Sequence, residues 1–147
     1  TPIFGNIAAA EQGHMNLVGL MLQKYSIPDP ITSNAVGVFQ NPAITQLYNV
    51  LVGVGMTSQP HALLVGALIE DLDMFDLNAA IGRTDNRDIG AILQNLNRGS
   101  RNHMRAFYGQ LSGYYLYPGF WLSNAAVQAV VTTPTENRAV DENGVPL

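Results

Sequence analysis

The chain has 147 residues, of which 47% are hydrophobic and 12% charged, and its formal net charge is −4. This length suits one domain with a real core, and no uninterrupted apolar stretch reaches the roughly 18 residues that predict a membrane span. The absence of cysteine excludes thiolate metal sites and disulfides. The sequence has no basic patch with interleaved aromatic residues, so we expect no nucleic acid partner.

The first predicted helix starts at the beginning of the chain. Thr1 can cap it, Pro2 suits its first position, and an apolar period follows to Tyr25. The run from Ser26 to Pro30 ends this helix, and residues 31–40 are predicted to form a loop.

Three further helices follow, each with a start signal of its own. Asn41, before Pro42, and Ser58, before Pro60, mark the starts of the second and third helices. Asp85 is the expected cap of the fourth helix. The predicted ranges are about 42–55, 59–81 and 86–111. Short connections between the helices favour antiparallel packing in an all-α bundle.

The C-terminal part has a different character. Residues 113–121 form an aromatic loop, and Ser123 can cap a short helix over 124–131. From Thr132 onward the apolar period is lost, which predicts an extended tail. We therefore expect a bundle domain over 1–123, followed by a short helix and tail over 124–147.

Five ionisable side chains interrupt the apolar seams, the lines of core-facing positions spaced three and four residues apart. Glu11 and His14 fall in the middle of the first seam, Glu70 and Asp73 in the third, and His103 in the fourth. Residues at i and i+3 share a helix face, so each pair can approach one region of the bundle core.

These buried groups must satisfy one another, because an isolated buried charge is costly. A metal ion bound by Glu11, His14, Glu70, Asp73 and His103 would achieve this, and carboxylate with imidazole suits iron, manganese or zinc. Glu-x-x-His is the pairing that di-iron and di-manganese helix-bundle proteins use. The alternative is a metal-free hydrogen-bond network that pairs Glu11 with His14 and Glu70 with His103.

Other polar residues receive supporting or surface roles. Asp71, Ser100 and Asn102 lie beside the predicted ligands and could orient them. His61, in the first turn of its helix, is expected at the surface. A stripe of arginines on the fourth helix is expected to be solvated or to pair with acidic residues of the third helix; its members are Arg98, Arg101 and Arg105.

The low charge bears on assembly. Ordinary soluble domains carry about 25% charged residues, and charge repulsion helps to keep proteins monomeric. A surface of neutral polar groups can pack against another copy without desolvating ions, so we expect a homo-oligomer or a larger assembly. Lineage-specific composition is the alternative explanation.

Four segments resemble one known family. FGNIAAAEQGHM (4–15), VGALIEDLDMFDL (65–77), GSRNHMRAF (99–107) and LYPGFWLS (116–123) are similar to a bacterial and archaeal family of ferritin-like proteins, catalogued mainly as a domain of unknown function. The resemblance covers roughly residues 1–123. It implies a ferritin-like four-helix bundle with a di-metal centre, in which Glu11, His14, Glu70, Asp73 and His103 match the ligand positions.

Two departures from this family reduce the number of carboxylates. Family members carry an upstream helix with a further Glu, and this chain starts after it, while Ser100 occupies the position where ferritin-type sites have a Glu. One metal ion, a partial site or none is therefore expected. The missing helix would leave an apolar groove that a separate N-terminal fragment, a neighbouring subunit or the tail could fill.

Two functions follow from these observations. The first is a metal-binding protein with iron or manganese redox chemistry, and the alternative is a self-assembling extracellular filament or matrix protein that reuses the bundle without catalysis. The start at Thr1, without Met or a signal region, is typical of a processed N-terminus or a fragment. We expect a secreted or extracellular location rather than a cytoplasmic one.

Overall fold

The computed structural model describes residues 2–147, and within that range the fold is an all-α helical bundle. Its five helices are α1 (Pro2–Lys24), α2 (Pro42–Gly55), α3 (Gln59–Ile81), α4 (Arg87–Leu111) and α5 (Asn124–Val131). No helix in these residues combines the length and apolar character that crossing a membrane requires. The predicted fold class is confirmed.

The helix starts follow the capping residues of the sequence. Asn41, Ser58 and Ser123 cap α2, α3 and α5 with their side-chain oxygens. The prediction of Asp85 as the cap of α4 is wrong, because the extended residue there is Asn86, whose side chain accepts from the first free backbone N–H groups of the helix. The predicted cap Thr1 lies outside the described residues.

The core lies between α3 and α4, which form the most extensive helix pair of the bundle. Gly66 on α3 allows this close approach, since a Cβ there would lie within 3.0 Å of the Phe107 ring on α4. The buried apolar side chains around this contact include Leu63, Ala67, Met74, Met104 and Leu111. Burial of such side chains contributes about 1.5–3 kcal/mol each.

Helix α1 runs antiparallel to α4 and contacts it at both ends. The Phe4 and Phe107 rings lie 5.8 Å apart at one end. At the other end Lys24 forms an ion pair with Asp88, and the Tyr25 hydroxyl donates to the same carboxylate at 2.6 Å. Ile3 is the only fully buried residue of α1, so much of this helix remains accessible.

The C-terminal tail lies along α4 and occupies its arginine stripe. Glu136 forms ion pairs with Arg101 and Arg105, and Arg98 donates to the Glu136 carbonyl oxygen at 2.8 Å. The expected pairing of these arginines with acidic residues of α3 is wrong, because the stripe faces the tail. Asn95 extends the contact through hydrogen bonds to the backbone of Val140.

Candidate metal centre

Three helices bring one side chain each to a common point in the middle of the bundle. His103 Nδ1 on α4 lies 2.8 Å from Glu11 Oε1 on α1 and 3.3 Å from Glu70 Oε1 on α3. One ligand-type atom from each residue lies within 4.8 Å of the other two. Three of the five predicted ligand residues, Glu11, Glu70 and His103, therefore converge in the folded chain.

His14 joins this group through Glu11. Its Nδ1 lies 3.0 Å from Glu11 Oε2, and its ring centroid is 5.7 Å from that of His103. Gly99 on α4 makes room for the ring, since a Cβ at this position would lie within 3.0 Å of two His14 ring atoms. The sequence between Gly99 and His103 thus provides both a ligand-type side chain and the space for a second one.

Several atoms of the group are buried without a hydrogen bond. They are Glu11 Oε1, Glu70 Oε2 and His103 Nδ1. His103 Nδ1 is close to two carboxylate oxygens, but neither lies in the direction in which the ring N–H would donate. Buried polar atoms without partners are rare in native proteins and need an explanation, and an ion that these atoms share would provide one.

Glu11 and His103 each stabilise the charged form of the other. Burial raises the pKa of Glu11, but the contacts with His103 and His14 outweigh it and hold this pKa at about 2. Burial likewise lowers the pKa of His103, while Glu11 and Glu70 raise it to about 9. A carboxylate next to an imidazolium is therefore the favoured state of this pair near neutral pH when no metal is bound.

The pKa values of Glu70 and Asp73 on α3 are shifted in the opposite direction. Burial is the main reason why the pKa of Glu70 is raised. The pKa of Asp73 is raised to about 7 by burial and by the nearby charges of Glu70 and Glu11. A cation that these carboxylates bind would have to displace their protons, so its binding would strengthen as the pH rises.

The group is accessible from solvent. Glu11, His14 and Asp73 line a cavity of about 500 Å³, together with Ser100 from α4 and Arg83 at the end of α3. A smaller, mostly apolar cavity of about 290 Å³ reaches Glu11, Glu70 and Asp73 from the N-terminal half of α1. An ion or a small molecule therefore has a path to the ligand-type atoms.

The polar side chains predicted around the ligands lie in different places. Ser100 is buried and lines the cavity beside Glu11 and His14. Asn102 faces the tail, where it donates to the Glu136 carbonyl oxygen and accepts from the Glu136 N–H. His61, predicted at the surface, is half-buried, and its Nδ1 contacts the Ser58 hydroxyl at 2.8 Å.

Asp71 has a role that the sequence did not indicate. Its buried carboxylate accepts from the Tyr117 hydroxyl at 2.7 Å and from the backbone N–H groups of Phe120, Trp121 and Leu122. Both oxygens are engaged by the aromatic loop, so Asp71 holds that loop and does not orient Glu70 or His103. The position of Asp71 one residue after Glu70 places it on the other side of α3.

A metal ion fits the donor set at the centre. Two carboxylates and an imidazole offer the oxygen and nitrogen ligands that iron, manganese and zinc accept, and His14 and Asp73 add one of each nearby. The buried atoms without partners are ligand atoms of this set. The residues present are therefore chemically suited to such an ion.

Comparison with known proteins finds relatives that are described as uncharacterized. Residues 1–134 match the family described as "Uncharacterized protein domain (DUF2202)". The chain is 47% identical over 135 residues to the uncharacterized protein MJ0754 of Methanocaldococcus jannaschii, a match that covers 91% of this chain and 73% of that protein. The crystal structure of hypothetical protein MJ0754 from Methanococcus jannaschii DSM 2661 superposes with a TM-score of 0.90 at 46% identity and covers 92% and 78% of the two chains.

Proposed function

The chain belongs to the family of uncharacterized DUF2202 domains, and we propose that it is a metal-binding protein whose site lies between α1, α3 and α4. One observation carries this proposal: Glu11, Glu70 and His103 converge from three helices, and each keeps a buried ligand atom without a hydrogen bond. A purely structural polar network would be expected to satisfy these atoms internally.

The residues divide into two groups by their surroundings. Glu11, Glu70 and His103 would hold the ion directly, while His14 and Asp73 lie at the cavity side of the group and would complete its ligands. Bound iron or manganese supplies redox chemistry, and zinc would supply Lewis-acid chemistry. In the metal-free chain, the raised pKa of Asp73 lets this side chain hold a proton near neutral pH, and a bound ion would displace that proton.

The resemblance to ferritin-like proteins supports a redox role but predicts more carboxylates than this site contains. Ser100 lines the cavity at the position where ferritin-type sites carry a Glu. We therefore propose a site for one ion, or two at partial occupancy, and membership of the ferritin-like superfamily remains part of the proposal.

The proposal is tested by the metal content of the purified chain. After dialysis against Mn²⁺, Fe²⁺ or Zn²⁺ and removal of the excess, we expect at least about half an ion per chain by elemental analysis. Glu70→Gln should abolish this binding, while Asp85→Asn, an exposed change in the connection between α3 and α4, should leave it intact. Metal-free wild-type protein after supplementation with all three ions would contradict the proposal.

A structural, self-assembling role is the second candidate. It is supported by the many large apolar side chains at the surface, among them Val36 at 90%, Leu116 at 85% and Met56 at 82% exposure. A contiguous exposed apolar surface is typical of protein interaction sites, and Ile44, Val52 and Met56 line one such groove. Sedimentation velocity of the purified chain tests this role, because a monomer at every soluble concentration would contradict it.

A further inference from the structure

An apolar groove lies mainly between α2 and α3 and has a volume of about 510 Å³. Ile44, Leu51 and Val52 line it from α2, and Val65 and Ile69 line it from α3. No charged side chain of the described residues contributes to this lining. Contact of such a lining with water is unfavourable, so the groove favours an apolar occupant.

The groove continues into the 290 Å³ cavity that reaches the candidate metal centre. The groove and this inner cavity share Phe4 of α1 and three residues of α3, which are Ala62, Val65 and Ile69. The three α3 residues are spaced three and four positions apart, so they form one stripe along the helix. Asp73, four positions further, extends the same stripe into the inner cavity. The groove and the inner cavity therefore form one passage along this side of α3.

The inner end of the passage contains atoms that need a partner. Glu11 and Glu70 line the inner cavity, and each has a buried carboxylate oxygen to which no group of residues 2–147 donates a hydrogen bond. Apolar walls that lead to a few convergent polar groups are the usual form of a small-molecule site. A protein docked on the outer groove would leave the inner cavity unexplained, so a small molecule is the favoured occupant.

The geometry of α3 sets the length of this molecule. Glu70 follows Ala62 by eight residues, and both line the inner cavity. Eight residues correspond to about 12 Å along a helix, roughly the length of an extended chain of eight to ten carbons. A straight aliphatic chain of this length would reach from the ligand atoms to the apolar groove.

The charges at the inner end determine the head group. Glu11, Glu70 and Asp73 all line the inner cavity, so their carboxylates would more than balance a divalent ion. An anionic head group would add negative charge in a partly buried site, which is unfavourable. A hydroxyl is neutral, offers an oxygen to the ion and has a proton to donate to a carboxylate.

We propose that the passage binds a straight-chain aliphatic alcohol of about eight to ten carbons, with its hydroxyl at the metal centre and its chain along the α3 stripe. This inference rests on the metal-binding function proposed above. It assigns the site a substrate class, which metal binding alone does not.

The test is a chain-length series on the Zn²⁺-loaded chain. Isothermal titration calorimetry with 1-hexanol, 1-octanol and 1-decanol should give one site per chain, and each added methylene should tighten binding by about threefold to fourfold. In the Co²⁺-loaded chain, 1-decanol should change the visible absorption spectrum, because its hydroxyl would alter the ligands of the ion.

Two variants locate the chain of the alcohol. Ile69→Ser changes the stripe and should weaken binding of 1-octanol and 1-decanol by about tenfold, whereas Val52→Ser in the outer groove should weaken binding of 1-decanol but not of 1-hexanol. The matched controls are Phe75→Ser on α3 and Val50→Ser on α2, which lie outside both linings. All four side chains are at least 41% exposed, so the fold should be retained.

The metal content of every sample separates this inference from the proposed function. Equal affinities for the three alcohols, or no binding, in a chain that holds metal would overturn the inference alone, and a chain that takes up no metal would overturn both. Binding of 1-decanol that is as tight in EDTA, or weaker than that of decanoate, would also overturn it. If the wild type self-associates and Val52→Ser abolishes only this association, a second copy occupies the groove instead.

Discussion

Glu11 on α1 and His103 on α4 form a 2.8 Å ion pair in the centre of the bundle. The pair connects a helix with one buried residue to the helix with the most buried residues. Since Glu11 also contacts His14, changes at this glutamate affect both histidines. A shift of α1 would therefore change the arrangement of the candidate metal centre, because Glu11 belongs to both.

Metal should stabilise the fold through Glu11 and His14. At a metal concentration about a hundredfold above Kd, wild-type chain should gain about 2.7 kcal/mol in its free energy of unfolding over chain in EDTA. The double variant Glu11→Ala, His14→Ala should lose this gain. Gln12→Ala with Asn16→Ala, exposed on the same helix, serves as the control. Equal denaturant midpoints with and without metal for wild type would support the metal-free network instead.

Asp73 should make the metal-free fold less stable as the pH rises. Its pKa is about 7 in the folded chain against an ordinary value of 3.8. Between these values the folded chain holds a proton that the unfolded chain has lost, so the free energy of unfolding falls with rising pH, and the loss is complete above about pH 7. Asp73→Asn removes this loss. In EDTA the variant should be more stable than wild type at pH 8 by roughly 1–3 kcal/mol, with the advantage disappearing near pH 4.

Urea denaturation at several pH values checks this prediction. With metal present at pH 8 the order should reverse, because wild-type Asp73 then binds the ion as a carboxylate. A pH-independent difference between the two proteins would show that Asp73 titrates normally in the folded chain.

The helices and their inward-facing groups could be predicted from local sequence. Prolines with Asn41 and Ser58 mark helix starts, and the 3–4 spacing places Glu70 and His103 on core-facing sides, because both signals act within a few residues. The role of Asp71 could not be predicted in this way. Its partners are the Tyr117 hydroxyl, 46 residues later, and backbone N–H groups 49 to 51 residues later, and only the tertiary fold brings them to α3.

The contact between the C-terminal tail and α4 is a second feature that local sequence could not predict. Glu136 meets Arg101 across 35 residues of chain, and nothing in the spacing of the arginines indicates this partner. The Arg98–Arg101–Arg105 stripe looks solvated when α4 is considered alone. Periodicity therefore identifies which side of a helix is polar, but not what covers it.

Asp71 should be essential for the aromatic loop. Asp71→Asn replaces one accepting oxygen by an amide NH₂ that faces backbone donors, so the free energy of unfolding should fall by about 2–4 kcal/mol. Asp76→Asn, exposed one turn further along α3, should change it by less than about 0.5 kcal/mol. Urea denaturation followed by circular dichroism measures both changes, and equal losses in the two variants would exclude a special role for Asp71.

The fluorescence of Trp121 separates a local effect from a global one. The backbone N–H of Trp121 donates a hydrogen bond directly to the Asp71 carboxylate. In the Asp71→Asn variant we expect altered emission at urea concentrations where the helical signal is still native. Simultaneous loss of the two signals would show that the loop and the bundle unfold together.

Gly99 should be required for the position of His14. In Gly99→Ala the new methyl group would overlap the His14 ring, which must turn away or move α1 outward. Turning the ring breaks its 3.0 Å contact with Glu11, and moving α1 outward separates Glu11 from His103, so in either case metal affinity should fall by about 10–100-fold, the range seen when groups that orient ligands are lost. Gly109→Ala on the same helix meets nothing within 4 Å, and should retain affinity while gaining up to about 1 kcal/mol in stability. Competition titration with a chromophoric chelator gives both affinities, and equal values for the two variants would place His14 outside the metal site.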